Sequence, residues 1–369
     1  MRTLHLHAPL AACGARFETR HGAEIASVVS DTDTEYRYVR DSVGVTDFSW
    51  TRRYRVPEET GIDFLDSVVA GNVARLRFGR VLHTCILDDN GYVAADCYVA
   101  NNDDELILIC ESLLEDGELD ALLESRGGKE AGLESLDDSY VALSVDGFRA
   151  WAVLKELLGP DVLGLPYLSI EMYPFEGENI KLVRAGKTSE FGYLLLAPLA
   201  VAPALLDALV GLARSQGGGV CGCEVHHTLR LEGRFFNLFA EGVAVRDPLV
   251  LGLQWMFDFD KESFCGSSAV YQRRQQGLTG KIIGISSAPR EGDLAVDATL
   301  YDEEQEVGRV VASCYSRVLD RTIGLAVLSL DYAWSGLTLM MGAPAGHKIS
   351  TISMPPIMPK SLGVKLDEM

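Results

Sequence analysis

The sequence predicts an α+β fold, and three observations carry the prediction. Tyr54 to Glu111 is a series of short apolar runs separated by turn signals, with one helical interruption. From Tyr140 strand-like and helix-like stretches mix, and from about Thr279 to Ala343 the text is nearly all strand. That order lacks the strand–helix–strand alternation of a parallel doubly wound sheet. The 369 residues leave room for two or three domains, and 47% hydrophobic with 23% charged residues is ordinary globular usage.

In the first stretch, Ile62, Leu65, Val68 and Val69 share one helical face, while Leu76–Phe78, Val81–Leu87, Tyr92–Ala100 and Glu105–Cys110 read as short extended runs. Asp88-Asp89-Asn90-Gly91 is the clearest turn, because Asn-Gly between apolar runs tolerates positive φ at both central positions of a hairpin. A helix is expected over Leu113–Ser125, stopped by Arg126-Gly127-Gly128. Val141–Val145 is a strand turned by Asp146-Gly147, and Arg149–Leu158 is a helix stopped by Gly159-Pro160. Ala200–Arg214 is a strongly apolar helix closed by Gly217-Gly218-Gly219. Strands at Lys281–Ile285, Ala295–Tyr301, Glu306–Ser313 and Leu325–Leu330 predict a small barrel or sandwich.

A formal net charge of −20 repels phosphate backbones, so nucleic acid is not an expected partner, although a local basic cleft for a small anion is compatible with it. The eight cysteines are scattered and several lie in apolar runs, which reads as buried free thiols. Only Cys221-Gly222-Cys223 is close-set, one residue short of the spacing used by redox and zinc sites. With no signal-peptide core near Met1–Leu10 and no apolar window of about 18 residues, the expected setting is cytoplasmic and reducing, without a membrane.

Standard nucleotide motifs are missing. Gly186-Lys187-Thr188 has the ending of a phosphate loop, but five positions before Gly186 stands Lys181 where that loop needs glycine. No metal set is predicted: adjacent His226 and His227 diverge on a strand or a helix, and His5 and His7, on one face of an apparent N-terminal strand, have no third ligand. Two segments carry more chemistry. Ser189-Glu190-Phe191-Gly192-Tyr193 puts a carboxylate and a phenol on a tight bend, either presented to a ligand or forming a solvated turn with Tyr193 in the core. Thr228-Leu229-Arg230-Leu231-Glu232 holds two charges that share a face on a strand but not on a helix; Arg230 is either half of an internal ion pair or a fork for a ligand carboxylate.

Taken in order, these segments resemble the aminomethyltransferase family, the family of the glycine cleavage T-protein. The resemblance runs from about Tyr38 to Val327. It begins at Val39-Arg40 and Val43-Gly44-Val45-Thr46-Asp47-Phe48-Ser49, and continues through Phe64-Leu65, Gly71-Asn72-Val73 and Gly91-Tyr92-Val93-Ala94-Ala95-Asp96. Glu190-Phe191-Gly192-Tyr193, Leu229-Arg230-Leu231-Glu232, Glu241, Pro248, Trp255, Phe264-Cys265-Gly266 and Gly308 to Ser313 follow. The resemblance implies a three-lobed α+β fold around a channel for tetrahydrofolate. Residues 1–275 would form the folate-binding region of two interleaved lobes, and 276–369 a C-terminal β-barrel. It implies that Glu190 binds the pterin and that Tyr193, Arg230 and Asn72 also contact the cofactor. The implied reaction moves an aminomethyl or methyl group to tetrahydrofolate from a small-molecule donor or a lipoyl carrier protein.

One departure bears on the chemistry. Where the family has two successive aspartates, this chain reads Ala95-Asp96, and successive strand residues point to opposite faces unless a bulge intervenes. Asp96 is therefore the catalytic candidate on this condition, and a folate-binding protein without transferase activity is the alternative. The Asn expected at the end of the next strand is also replaced, since Cys110 is followed by Glu111. Folate-dependent demethylases of the same family use other donors. The related iron–sulfur assembly factor is disfavoured, because Ser263 stands where its cysteine belongs in Lys261–Ser268.

Overall fold

The computed structural model describes residues 2–20, 22–287 and 292–366, so Met1, where the sequence reading of the N-terminus begins, lies outside the described residues. The chain forms two compact units: Met1–Ile86, Ala95–His226 and Pro359–Met369 make the first, and Leu87–Ala94 with His227–Met358 the second.

In the first unit a six-stranded sheet runs in the order Ser169–Phe175, Glu178–Arg184, Gly192–Pro198, Tyr140–Asp146, Gly44–Asp47 and Gly219–Cys221. Alternation sorts its side chains. Tyr193, Leu195 and Ala197 join Val43, Val45, Leu143 and Val145 under the helices Ala150–Leu158 and Ala202–Ser215, while Leu194 and Leu196 face the other way. That second face packs on Ala100, Ile107 and Ile109 of a five-stranded sheet ordered Val81–Leu87, Val93–Asn102, Glu105–Ser112, Arg52–Pro57 and Glu134–Ser135. Helix, sheet and sheet are thus stacked, with both faces of the central sheet buried. Pro203 in the first turn and Leu205, Leu206, Leu209, Val210 and Ala213 along one face explain the Ala202–Ser215 helix, and Gly217 follows it at φ +83.

The second unit contains a closed six-stranded antiparallel barrel. Its strands run Gly280–Ser287, Arg321–Ser329, Gln305–Ser316, Thr299–Asp302, Thr338–Met341 and His347–Ile352, the last pairing back onto the first. Ile285, Leu300, Val310, Ala326, Leu328, Leu339 and Ile349 fill it.

Several local expectations are corrected. Leu76–Phe78 is loop, not strand, and Phe78 stands 69% exposed. His5 and His7 share no strand: the N-terminal strand is only Arg2–Thr3, and His7 opens the helix His7–Ala12, its ring stacked on Phe17. The strand expected over Ala295–Tyr301 is confined to Thr299–Asp302. At Asn90-Gly91 only glycine takes positive φ (+70), because Asp88 Oδ1 accepts the Asn90 and Tyr92 N–H groups at 3.0 and 2.9 Å and the Asp88 carbonyl accepts from Gly91.

Candidate functional site

The connection between strands Glu178–Arg184 and Gly192–Pro198 is closed at its neck by two facing glycines. A Cβ on Gly192 would lie 2.6 Å from the Gly186 Cα and 2.8 Å from Asp146 Oδ1, and one on Gly186 would lie 2.7 Å from the Gly192 Cα and 2.9 Å from the same Asp146 oxygen. Only hydrogen fits on both sides, so the loop they enclose is a narrow lobe. Within it Ser189, rather than a glycine, takes the left-handed conformation at φ +70. Arg40, on the helix Thr32–Asp41 that Asp31 caps, donates to the Thr188 carbonyl at 2.6 Å and anchors the lobe.

Glu190 projects from this lobe with its side chain only 1% exposed. Arg40 Nη1 lies 3.5 Å from Oε1, which accepts the Lys360 backbone N–H at 3.2 Å, while Oε2 accepts that of Ser361 at 2.9 Å. A carboxylate removed from water is thereby compensated by one guanidinium and two peptide N–H groups.

Lys187, from the same lobe, enters a buried charge cluster. Asp96 and Glu111 are directly opposed on neighbouring strands, an unfavourable placement for two carboxylates unless a cation lies between. The Lys187 ammonium supplies it, at 2.5 Å from Asp96 Oδ2 and 2.8 Å from Glu111 Oε1. His83 Nε2 lies 2.6 Å from Asp96 Oδ1, and Tyr98 places its ring 4.4 Å from that of His83 and under the Lys187 ammonium at 5.6 Å. Burial alone would raise the Asp96 carboxyl, but the charges of Lys187 and His83 outweigh it and hold the group well below the usual carboxylate range. The pairing runs without a shift from Ala95–Ser112 to Asn102–Glu105. With no bulge there, Asp96 stays on the face opposite Ala95.

Three comparisons bear on this geometry. The family model for the GCVT N-terminal domain matches residues 6–261. The chain belongs to the GCVT family. It is similar to an aminomethyltransferase of Halothermothrix orenii (27% identical over 330 residues, 88% of this chain and 90% of that protein). It is also similar to one from Thermoanaerobacter sp. (25% over 318 residues, 82% and 83%). The crystal structure of the glycine cleavage system aminomethyltransferase T from Bartonella henselae shares its fold, with a TM-score of 0.81 at 20% identity over 97% of this chain and 98% of that one.

Against the GCVT framework, the residues singled out in the sequence fall into different environments. Tyr193 does not line an opening: it is 0% exposed in the core, paired with Val145, and its hydroxyl has no hydrogen-bond partner among the described residues. Arg230 is buried on the helix Val225–Gly233, which resolves the strand-or-helix choice. Two residues on a helix are about 200° apart, so Arg230 and Glu232 do not share a face, and Glu232 accepts from the Ser316 hydroxyl at 2.6 Å. Asn72 spends its side-chain oxygen on the Arg75 N–H at 3.0 Å, within its own loop. The Asp47-x-Ser49 segment likewise serves the fold: Asp47 accepts the Ser49 N–H, and the Ser49 hydroxyl accepts that of Ala142.

Lys187, His83 and Glu111 were reachable only in part. Lys187 enters the sequence as a phosphate-loop fragment and Glu111 as a departure at a strand end, but His83 carries no local signal. What joins them is the strand register. Among the described residues no group of three or more His, Cys, Asp or Glu is arranged to hold a metal, and no helix is long and apolar enough to cross a membrane.

Proposed function

We propose that this chain is a tetrahydrofolate-dependent one-carbon transferase, moving an aminomethyl or methyl group to the folate from a small-molecule donor or a lipoyl-bearing carrier protein. The observation that carries the reading is Glu190: a carboxylate on a glycine-necked loop, withdrawn from water, with each oxygen accepting its own N–H. A pterin presents an amide N–H beside an amino group, so the acceptor set suits it. The folate would supply the ring nitrogen that takes up the one-carbon unit. Glu190 would orient the ring, Arg40 would balance its charge, and Asp96, held ionised by Lys187, would act as a fixed acceptor in the site. Tyr193, Arg230 and Asn72 would support the loop, helix and turn around the cofactor rather than read its edge. Membership of the GCVT family and the names of the similar aminomethyltransferases support the reaction class, and eight free thiols suit a cytoplasmic setting. Glu190→Ala is expected to stay folded and to bind tetrahydrofolate at least about tenfold more weakly in calorimetry, since a charge-assisted hydrogen bond contributes about 1.5–3 kcal/mol. Unchanged affinity would remove the assignment.

A second reading, folate binding without transfer, is favoured by Ala95 and the unbroken register beside it. Ala95→Asp places a carboxylate back on that face. It is expected to raise aminomethyl transfer above that of the parent, followed as ammonia release from carrier-bound substrate. A gain from an inactive parent would support this reading, and transfer by the parent itself would remove it.

A further inference from the structure

We propose that the segment Pro359–Gly363 is an internal competitor for the Glu190 carboxylate, a strap that must leave before a pterin can be bound there. The proposal rests on the reading of Glu190 as the pterin-binding group. The N–H groups of Lys360 and Ser361, successive along the chain, are spent one on each carboxylate oxygen at 3.2 and 2.9 Å. They form a fork of two adjacent donors, which is what a pterin edge presents, and a buried carboxylate cannot satisfy both forks at once.

The rest of the strap holds weakly. Ser361 Oγ donates to the Ser189 carbonyl at 3.2 Å, and Lys360 Nζ meets Asp41 at 2.5 Å, but that ion pair is 56% and 53% exposed and contributes little. Leu362 is 69% exposed and Met358 beside the strap 80%, so release withdraws little apolar surface from a core. A segment retained for packing would bury these side chains. Its docking rests on the two N–H donors, and the apparent folate affinity is lowered by the fraction of molecules in which the strap is closed.

The test is hydrogen–deuterium exchange of the full chain with and without saturating tetrahydrofolate, read on peptides covering 359–366, together with calorimetry of two variants. Lys360→Pro removes the donor to Oε1 and the pair with Asp41. It suits the site, because Lys360 opens a 3₁₀ turn and follows Pro359 at ψ 146. Lys360→Ala removes only the exposed pair. Expected are a rise in exchange at Lys360 and Ser361 when folate binds, affinity roughly tenfold tighter in Lys360→Pro, and less than about twofold change in Lys360→Ala. Folate binding that leaves the strap protected, with Lys360→Pro no tighter, overturns the competitor and leaves the folate reading standing. Failure of both the parent and Lys360→Pro to bind tetrahydrofolate overturns the folate reading and the competitor with it.

Discussion

Lys187→Met lowers the stability of the first unit by about 3–5 kcal/mol at neutral pH, the usual consequence of stripping one partner from a buried charge set. The substitution keeps the volume but leaves Asp96 and Glu111 facing each other on adjacent strands with their shared cation gone. The loss depends on pH with a definite sign. In the parent protein Asp96 titrates below its unfolded value, so the unfolded chain binds more protons across that window. Its stabilising contribution is therefore present above about pH 4 and fades as pH falls through the ordinary carboxylate range. In the variant the two carboxylates raise one another, the folded chain holds the extra proton, and stability falls as pH rises. Urea midpoints of the two proteins should converge toward pH 4 and separate toward pH 7. A constant gap would refute the ionic account, and Asp96→Asn added to Lys187→Met should recover part of the loss.

Gly222→Ala is expected to abolish folding of the first unit, seen as insoluble expression or a lost thermal transition. A Cβ there would lie 2.0 Å from the Ser27 carbonyl oxygen, 2.2 Å from its carbon and 2.5 Å from the Val28 nitrogen, all backbone and none able to swing aside. The same turn is held by buried Glu35: Oε1 accepts the N–H groups of Val29 and Ser30 at 2.7 and 2.9 Å, and Oε2 accepts that of Gly222 at 2.9 Å. Moving the backbone to admit a methyl group breaks bonds to a charged acceptor that water cannot replace. A soluble Gly222→Ala protein with a parental melting profile would refute the steric account.

This crossing also explains what the Cys-Gly-Cys segment is. Glycine is required by close passage over the strand Ala23–Val28, and the flanking sulfurs are incidental to it. Burial raises both thiols, that of Cys223 to about 11, far from a nucleophile at neutral pH.

Sequence legibility followed how local each cause is. The apolar helix and the barrel strands around Lys281–Ile285, Glu306–Ser313 and Leu325–Leu330 are written in periods of 3.6 and two and are readable, whereas the barrel strands Thr338–Met341 and His347–Ile352 are not among those the sequence predicts. The Glu190 bend stood out by its residue types, yet its positive φ falls on Ser189, and its neck needs two glycines six positions apart that only the hairpin brings together. The charge cluster was least legible, because His83, Asp96, Glu111 and Lys187 come from four separate segments. The Arg230–Glu232 segment stays ambiguous in the sequence for a related reason: alternating apolar residues over five positions do not distinguish a strand from a short buried helix, and the structure forms the helix.

The division of the chain bears on how the protein is made. The first unit is assembled from three separate stretches, and in the last of them, Pro359 onward, Lys360 reaches back to Glu190 at a sequence separation of 170. During synthesis the sheets of that unit and the lobe bearing Glu190 emerge well before the segment that covers the carboxylate. The segment that covers the carboxylate is thus made after every strand of the unit it closes, and its bonds to Glu190 are among the last of that unit's contacts to become possible.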